Sequence, residues 1–378
     1  MGKVTRLYGG NMNIMHIVRN IEYRGGAEEF IMRLLDEQLK NHNVGLCCIE
    51  RIGNIAISFE KKGINIYDSP LNWALPTNIG KIKTIVEKNN YNIIHTHLFN
   101  ADVAGAILAR ITNTPVISTK YCMFSRAAEK NTLIEKMIVK PFVDLILERV
   151  VSSGISEIHA VSSEVKNKWS RLTNVPIYVM PCAPRDNNYG AMTRYTTKNQ
   201  GLILGSLSRL VPEKGIDLGI DIIKEVVRTV PVIWKVAGDG YLNDQLRMKI
   251  KESGLENNIF FLGKEDDTQK FLEGIDVYFH PSRSEGLPIA IQEAMFSRKP
   301  IIASNVGGIP DLVIPGFNGS LIDPYDISST SKAILRYVSN HDLIIEEGEN
   351  SREHAENNFS FDKVYSDIMR SYERVLKC

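Results

Sequence analysis

Alternation between short apolar runs and helical patterns constrains this chain more than any other feature. From Met12 onward the runs IMHIV, VGLCCI, NIIHTH, PVIST, EIHAVS and IYVMP are interleaved with segments of three-and-four spacing. One such segment is Ala27, Phe30, Ile31, Leu34, Leu35 and Leu39, which makes a single apolar helix face. Strand-helix-strand order at this density produces a parallel sheet covered by helices on both faces. The stretch from Pro184 to Gly201, PRDNNYGAMTRYTTKNQG, breaks all periodicity with turn formers and reads as a linker. The alternation then restarts with GLILGSLSR, VIWKVAGDG, NIFFLG, DVYFHPS and PIIAS, and ends in an amphipathic helix from Phe359 to Leu376.

The expected architecture is therefore α/β, with two doubly wound, Rossmann-like domains facing a central cleft. Residues 12–185 form the first domain, 186–200 the linker and 201–358 the second, and a C-terminal helix over 359–378 packs back toward the first. At 378 residues the chain is long enough for two cores. Its 43% hydrophobic and 24% charged residues exclude a disordered or fibrous chain. Charge is uneven. Residues 1–185 hold 23 Lys and Arg against 16 Asp and Glu, leaving 22 against 28 of the totals of 45 and 44 for the rest. A basic front half suits an anionic partner such as a membrane surface or a phosphorylated acceptor, although drift in composition gives the same pattern. The cysteines Cys47, Cys48, Cys122, Cys182 and Cys378 form no C-x-x-C pair, which points away from a zinc site and toward a reducing compartment. No signal peptide and no uncharged apolar run of spanning length is visible, so the expected location is cytoplasmic, or peripheral at the inner face of the membrane. Met1 to Asn11 reads as an addition ahead of the first strand.

In doubly wound sheets, ligands bind beyond the carboxyl ends of the strands, where helix N-termini expose unpaired N–H groups. The residues that end strands are therefore the informative ones. The first strand of the second domain ends in SRLVPEKG, where Arg209 and Lys214 flank a turn and together suit a diphosphate. DVYFHPS leads into SEGLPIAIQEAM, with Glu285 ahead of a helix and Glu293 inside it. Gly286 and Leu287 offer backbone N–H groups there, and Pro288 suits the first helical turn. At 1.5 Å per helical residue the two carboxylates can stand on the order of 10 Å apart along one wall.

These motifs, together with VAGDG and ASNVGGIPDLV, make the chain resemble the retaining glycosyltransferases of family 4, of GT-B fold, from Met12 nearly to the end. The resemblance implies that Glu293 binds the nucleotide ribose, that Glu285 contacts the hydroxyls of the transferred sugar, and that Arg209 and Lys214 neutralise the leaving diphosphate. It also implies sugar and phosphate contacts from Gly286, Leu287 and Pro288. In the first domain, Gly25 and Gly26 resemble the family's glycine loop at the donor phosphate. His97, at the end of NIIHTH, would contact the sugar near the reaction centre, with Asn100 nearby on the acceptor side. His95 and His97 share one side of their strand and could in principle bind metal. No acid or cysteine accompanies them, and the family resembles metal-independent catalysts, so no metal and no cofactor beyond the donor is expected. Two positions depart from the family pattern. Lys120 in PVISTKY stands where many members carry histidine and is a candidate acceptor contact, while Cys182 and Ala183 stand where Asn-Gly is common.

The expected activity is retaining transfer of a hexose or N-acetylhexosamine from a nucleotide-diphosphate sugar, with UDP favoured and GDP second. The acceptor would be a hydroxyl of a glycan or lipid-linked glycan in bacterial surface polysaccharide synthesis, with no nucleic-acid partner. A nucleotide-sugar epimerase of the same fold and a non-catalytic carbohydrate-binding relative are the alternatives. The segment from Lys120 to Arg149 mixes Arg126, Lys130, Lys136 and Lys140 with apolar residues. It fits either an anionic membrane surface or an ordinary packed helix.

Overall fold

The computed structural model describes residues 10–21, 25–50, 52–53, 57, 59–71, 78–121, 149–184 and 201–377. The sequence-based linker, the first nine residues and most of the Lys120 to Arg149 segment lie outside them. The chain divides into two compact units, Met1–Cys182 with Asp362–Cys378, and Ala183–Phe361.

The first unit is built on strands β1 (Asn13–Val18), β2 (Asn43–Cys48), β3 (Asn65–Asp68), β4 (Ile93–His97), β5 (Val116–Lys120), β6 (Glu157–Ala160) and β7 (Ile177–Val179). They pair in parallel in the order β3-β2-β1-β4-β5-β6-β7. Helices α1 (Gly26–Gln38), α2 (Ile79–Lys88), α3 (Phe99–Thr112) and α4 (Ser163–Trp169) make crossovers. All five residues of β4 and of β5 are buried, as strands covered on both faces must be. The apolar face of α1 buries Phe30, Ile31, Leu34 and Leu35, the spacing that marked it in the sequence.

The second unit contains β8 (Leu202–Leu207), β9 (Val232–Ala237), β10 (Ile259–Gly263), β11 (Val277–His280), β12 (Ile301–Ser304) and β13 (Gly319–Ile322), ordered β10-β9-β8-β11-β12-β13 and again parallel. Its helices are α5 (Ile216–Val226), α6 (Asn243–Glu252), α7 (Thr268–Glu273), α8 (Ile289–Phe296), α9 (Ile309–Leu312), α10 (Ile327–Ser339) and α11 (Asp342–Phe359). Trp234 sits at the centre of this core, edge-on to Phe279 at 5.4 Å. Fully burying a large apolar side chain contributes roughly 1.5–3 kcal/mol.

In each sheet the strand order reverses at one point, between β1 and β4 in the first unit and between β8 and β11 in the second. Crevices for ligands open at such reversals. Two details differ from the sequence reading. Ser360 is extended, so the run from Phe359 is broken: Phe359 ends α11 and a separate C-terminal helix spans Phe361–Leu376. The edge strands β3 and β13 have no counterpart in that reading, because each holds only two consecutive apolar residues.

The C-terminal helix belongs to the first unit. Its Tyr372 hydroxyl meets His95 Nδ1 at 2.5 Å, and Arg374 donates to both carboxylate oxygens of Glu157 at 2.8 and 2.7 Å.

Candidate active site

In the second unit the strand reversal gathers a polar cluster. β8 ends just before Arg209, which is exposed, and a tight 3₁₀ turn over Pro212–Lys214 carries Lys214 to the mouth of β11. Gly215 closes that turn at φ +62°, where a Cβ would stand 2.0 Å from the Pro281 carbonyl oxygen, so only glycine fits. The Lys214 ammonium donates to Glu285 Oε1 at 2.6 Å, and the two side chains are 17% and 7% exposed. The same carboxylate oxygen receives Ser282 Oγ–H at 2.7 Å and lies 2.7 Å from His280 Nε2. Burial pushes the Glu285 carboxyl up, but the His280 hydrogen bond and the charges of His280 and Lys214 outweigh it and hold the group at about 2. Glu285 is therefore a fixed anion at neutral pH.

The loop carrying Glu285 is clamped from two sides. Arg283 makes a bidentate pair with Asp217 at 2.7 and 2.6 Å and also donates to the Pro212 carbonyl. Gly307, at φ +59°, lies against the Glu285 backbone so closely that a Cβ would be 2.0 Å from its carbonyl oxygen, and Gly308 N–H donates to Gly286 O at 2.7 Å. Leu287 and Pro288 are buried. Pro288 is the N-cap of α8, with ψ 116°, rather than a residue of its first turn as the sequence suggested; the helix begins at Ile289. Glu293 is half-buried on α8, and both it and Glu285 help to raise the Tyr278 phenol, after burial as the larger cause. Tyr278 ties β11 to β8 by exchanging hydrogen bonds with Leu207 N–H and C=O, both at 3.2 Å. His280, Ser282 and Tyr278 were not picked out from the sequence. The rule that strand ends carry ligand groups would have found His280 and Ser282 in DVYFHPS.

In the first unit, Gly25 caps α1 and Gly26 opens it, both exposed. The Glu28 carboxylate folds over Gly25, 2.5 Å from where a Cβ would lie, and sits at the positive end of the helix dipole. A phosphate arriving there would displace it. His97 ends β4 but is only 1% exposed, with its Nε2 2.9 Å from His16 Nδ1 and its Nδ1 2.8 Å from the Tyr121 hydroxyl. Both ring nitrogens are thus engaged inside the unit, and the ring offers neither to an incoming sugar in this state. Leu98 follows at φ +75°, ψ 159°, a region that bulky residues rarely occupy and that turns the chain sharply into α3. Asn100 reaches Glu50 Oε1 at 3.4 Å, and that carboxylate also accepts from Arg19 Nε at 2.6 Å.

Lys120 is not placed to meet an acceptor. It is 4% exposed, pairs with the fully buried Asp102 at 2.5 Å and lies 3.9 Å over the Trp169 ring. Asp102 also accepts from Thr96 and Ser118 hydroxyls, so the group is a satisfied buried ion pair.

His16, His95 and His97 bring one nitrogen each within 4.8 Å of the others, a set that could suggest a metal. The geometry opposes it. His16 and His97 are nearly parallel, at 12°, and are bonded directly through facing nitrogens, while His95 spans Tyr372 and Thr119 at 2.5 and 2.7 Å. The lone pairs meet protein partners instead of converging on a point.

Two family models match the two units in turn, Glycosyltransferase Family 4 over residues 24–183 and Glycosyl transferases group 1 over residues 192–358. An uncharacterized glycosyltransferase of Methanocaldococcus jannaschii is 28% identical over 297 residues, 78% of each chain. The UDP-Gal:alpha-D-GlcNAc-diphosphoundecaprenol alpha-1,3-galactosyltransferase of Escherichia coli is 25% identical over 76% of each. The crystal structure of HepE from Anabaena in complex with UDP superposes with a TM-score of 0.79 at 21% identity, over 96% of this chain and 100% of that one. The chain belongs to glycosyltransferase family 4, of GT-B fold. Its activity is that of a glycosyltransferase.

Proposed function

We propose that the protein transfers a hexose or N-acetylhexosamine, with retention at the anomeric carbon and without a metal or other cofactor, from a UDP-sugar to a hydroxyl of a glycan or lipid-linked glycan. GDP is the second candidate nucleotide. The observation that carries this reading is the Lys214–Glu285 pair at the β8/β11 reversal, fixed by His280 and Ser282 beside the start of α8. One relative named for a UDP-galactose donor and an undecaprenyl-linked acceptor, and a fold neighbour holding UDP, support the choice of donor and acceptor class.

The chemistry follows from charge development. As the bond between sugar and phosphate breaks, negative charge grows on the diphosphate and positive charge on the anomeric carbon. Lys214 and Arg209 stabilise the diphosphate, each well-aimed donor contributing roughly 3 kcal/mol. Gly286, Leu287 and Pro288 would line the sugar and phosphate, and Glu293 would hold the ribose. When the donor enters, Lys214 exchanges part of its bond to Glu285 for phosphate oxygens. Glu285 keeps His280 and Ser282, and its freed capacity accepts sugar hydroxyls. The acceptor hydroxyl attacks from the face the diphosphate leaves, and the departing phosphate takes its proton.

Among the described helices none is long and apolar enough to cross a membrane. The basic front half supports peripheral contact with an anionic surface. Binding to anionic vesicles should fall steeply with salt, and salt-independent binding or none would remove that part of the reading.

The test is calorimetry of the full chain against UDP, GDP, ADP and their sugar conjugates, with Glu293→Ala and Arg209→Ala as controls. Selective UDP binding weakened by both substitutions, followed by transfer that survives EDTA and gives the donor's anomeric configuration, is the expected outcome. Binding of none of the nucleotides would point to a non-catalytic relative. Turnover that inverts the donor's configuration would refute the mechanism.

A further inference from the structure

The first unit contains a continuous line of hydrogen bonds from the Gln38 amide in α1 to the carboxyl end of β5. Gln38 Oε1 is 2.7 Å from His16 Nε2, His16 Nδ1 is 2.9 Å from His97 Nε2, and His97 Nδ1 is 2.8 Å from the Tyr121 hydroxyl. The direction of every bond follows from its first member. An amide oxygen only accepts, so His16 Nε2 carries the proton. Burial lowers the His16 imidazole to about 4, so it is neutral and its Nδ1 is a lone pair. His97 Nε2–H must therefore donate to it. His97 is also held neutral, chiefly by burial, and its Nδ1 is left to accept the proton of Tyr121. Gln38 is itself fixed, because its amide N–H donates to the Tyr372 hydroxyl at 3.2 Å. Gln38, His16 and His97 are all essentially inaccessible to water, whereas Tyr121, just past the end of β5, is only partly buried.

We propose that Gln38 and His16 are positioning residues that hold His97 in its Nε2–H tautomer, so that Tyr121 gives its proton to His97 and its oxygen is left as an acceptor for a hydrogen bond from a sugar hydroxyl. The inference rests on the proposed function, in which the enzyme must hold sugar hydroxyls. It replaces His97 by Tyr121 as the side chain in contact, and it accounts for a buried amide in a helix otherwise packed through apolar residues.

The wire can be run backwards, which supplies the test. In Gln38→Glu a carboxylate faces His16 and favours the doubly protonated ring. His16 Nδ1–H then donates to His97 Nε2, the proton of His97 moves to Nδ1, and Tyr121 must accept from it and turn its own proton outward. Histidine-selective ¹⁵N spectra of the full chain should show His97 protonated at Nε2 in the wild type and at Nδ1 in Gln38→Glu. The variant's kcat should fall at least about tenfold, while the Kd for UDP stays within about twofold. Tyr121→Phe, a partly exposed position, should shift the His97 Nδ1 resonance and lower kcat to a similar extent. Wild-type His97 protonated at Nδ1, or a tautomer unmoved by Gln38→Glu, would overturn the wire. Reversal without loss of rate would overturn its role in transfer. Failure of the functional reading would register separately, as wild-type protein that binds no nucleotide, and the histidine spectra would still decide the wire.

Discussion

At the scale of single residues, the site depends on atoms that are missing as much as on those present. Gly307 lets one loop lie on the backbone of Glu285, and any side chain there meets the carbonyl at 2.0 Å in a conformation unfavourable to L-residues. Gly307→Ala should cost about 1–3 kcal/mol of stability and displace Glu285. Glycosyl transfer should be lost under conditions where the protein is still folded, and unchanged turnover would show that the Glu285 loop tolerates the shift. Lys120 makes the opposite case. As half of a buried pair with Asp102, its loss strands a charge, so Lys120→Ala should destabilise the protein by about 3–5 kcal/mol. Chemical denaturation would reveal this, whereas a raised KM for acceptor at full stability would restore the contact role that the sequence suggested.

At the scale of elements, the strands and major helices were legible because fully apolar runs and three-and-four spacing are local signals. The edge strands β3 and β13 were not, since each offers only two consecutive apolar residues, too few to stand out from a loop. The break at Ser360 was also hidden, because apolar residues fall on compatible spacing on both sides of it. What the C-terminal helix does was likewise beyond a local reading. Arg374 and Ser371 satisfy Glu157, a strand residue 2% exposed; burial raises that carboxyl, but bonds from His159, Arg374 and Ser371 prevail and hold it at about 2. Arg374→Ala should cost about 2 kcal/mol at pH 7, less than a full buried-charge penalty because Ser371 and His159 remain. A denaturation midpoint equal to that of wild type would mean that Glu157 needs no cation.

At the scale of the whole molecule, buried histidines and buried carboxylates divide the pH response into two windows. His16 is neutral when folded, at about 4 against an ordinary 6.5, and His95, His97 and His159 are lowered too, chiefly by burial. Between these values the unfolded chain binds more protons, so stability present above pH 6.5 is lost as pH falls toward 4, on the order of 3 kcal/mol for His16 alone. Glu157 and Glu285, at about 2 against 4.5, add stability above pH 4.5 that is lost as pH falls further, toward 2. Melting temperature should therefore decline from pH 7 downward, and His16→Asn should flatten the upper window. A flat profile between pH 7 and 4.5 would contradict the neutral histidine cluster.

The sequence by itself determined the two doubly wound sheets, the family, and Lys214 and Glu285 at the second strand reversal, because periodicity and strand-end motifs are written in consecutive residues. Only the tertiary structure decided which partners those residues take. It joined Lys214 to Glu285 across 71 positions, sent Lys120 inward to Asp102, and strung Gln38, His16, His97 and Tyr121 into one line. Such pairings depend on which strands lie side by side and how deeply each group is buried, and neither quantity is set by neighbours in the chain.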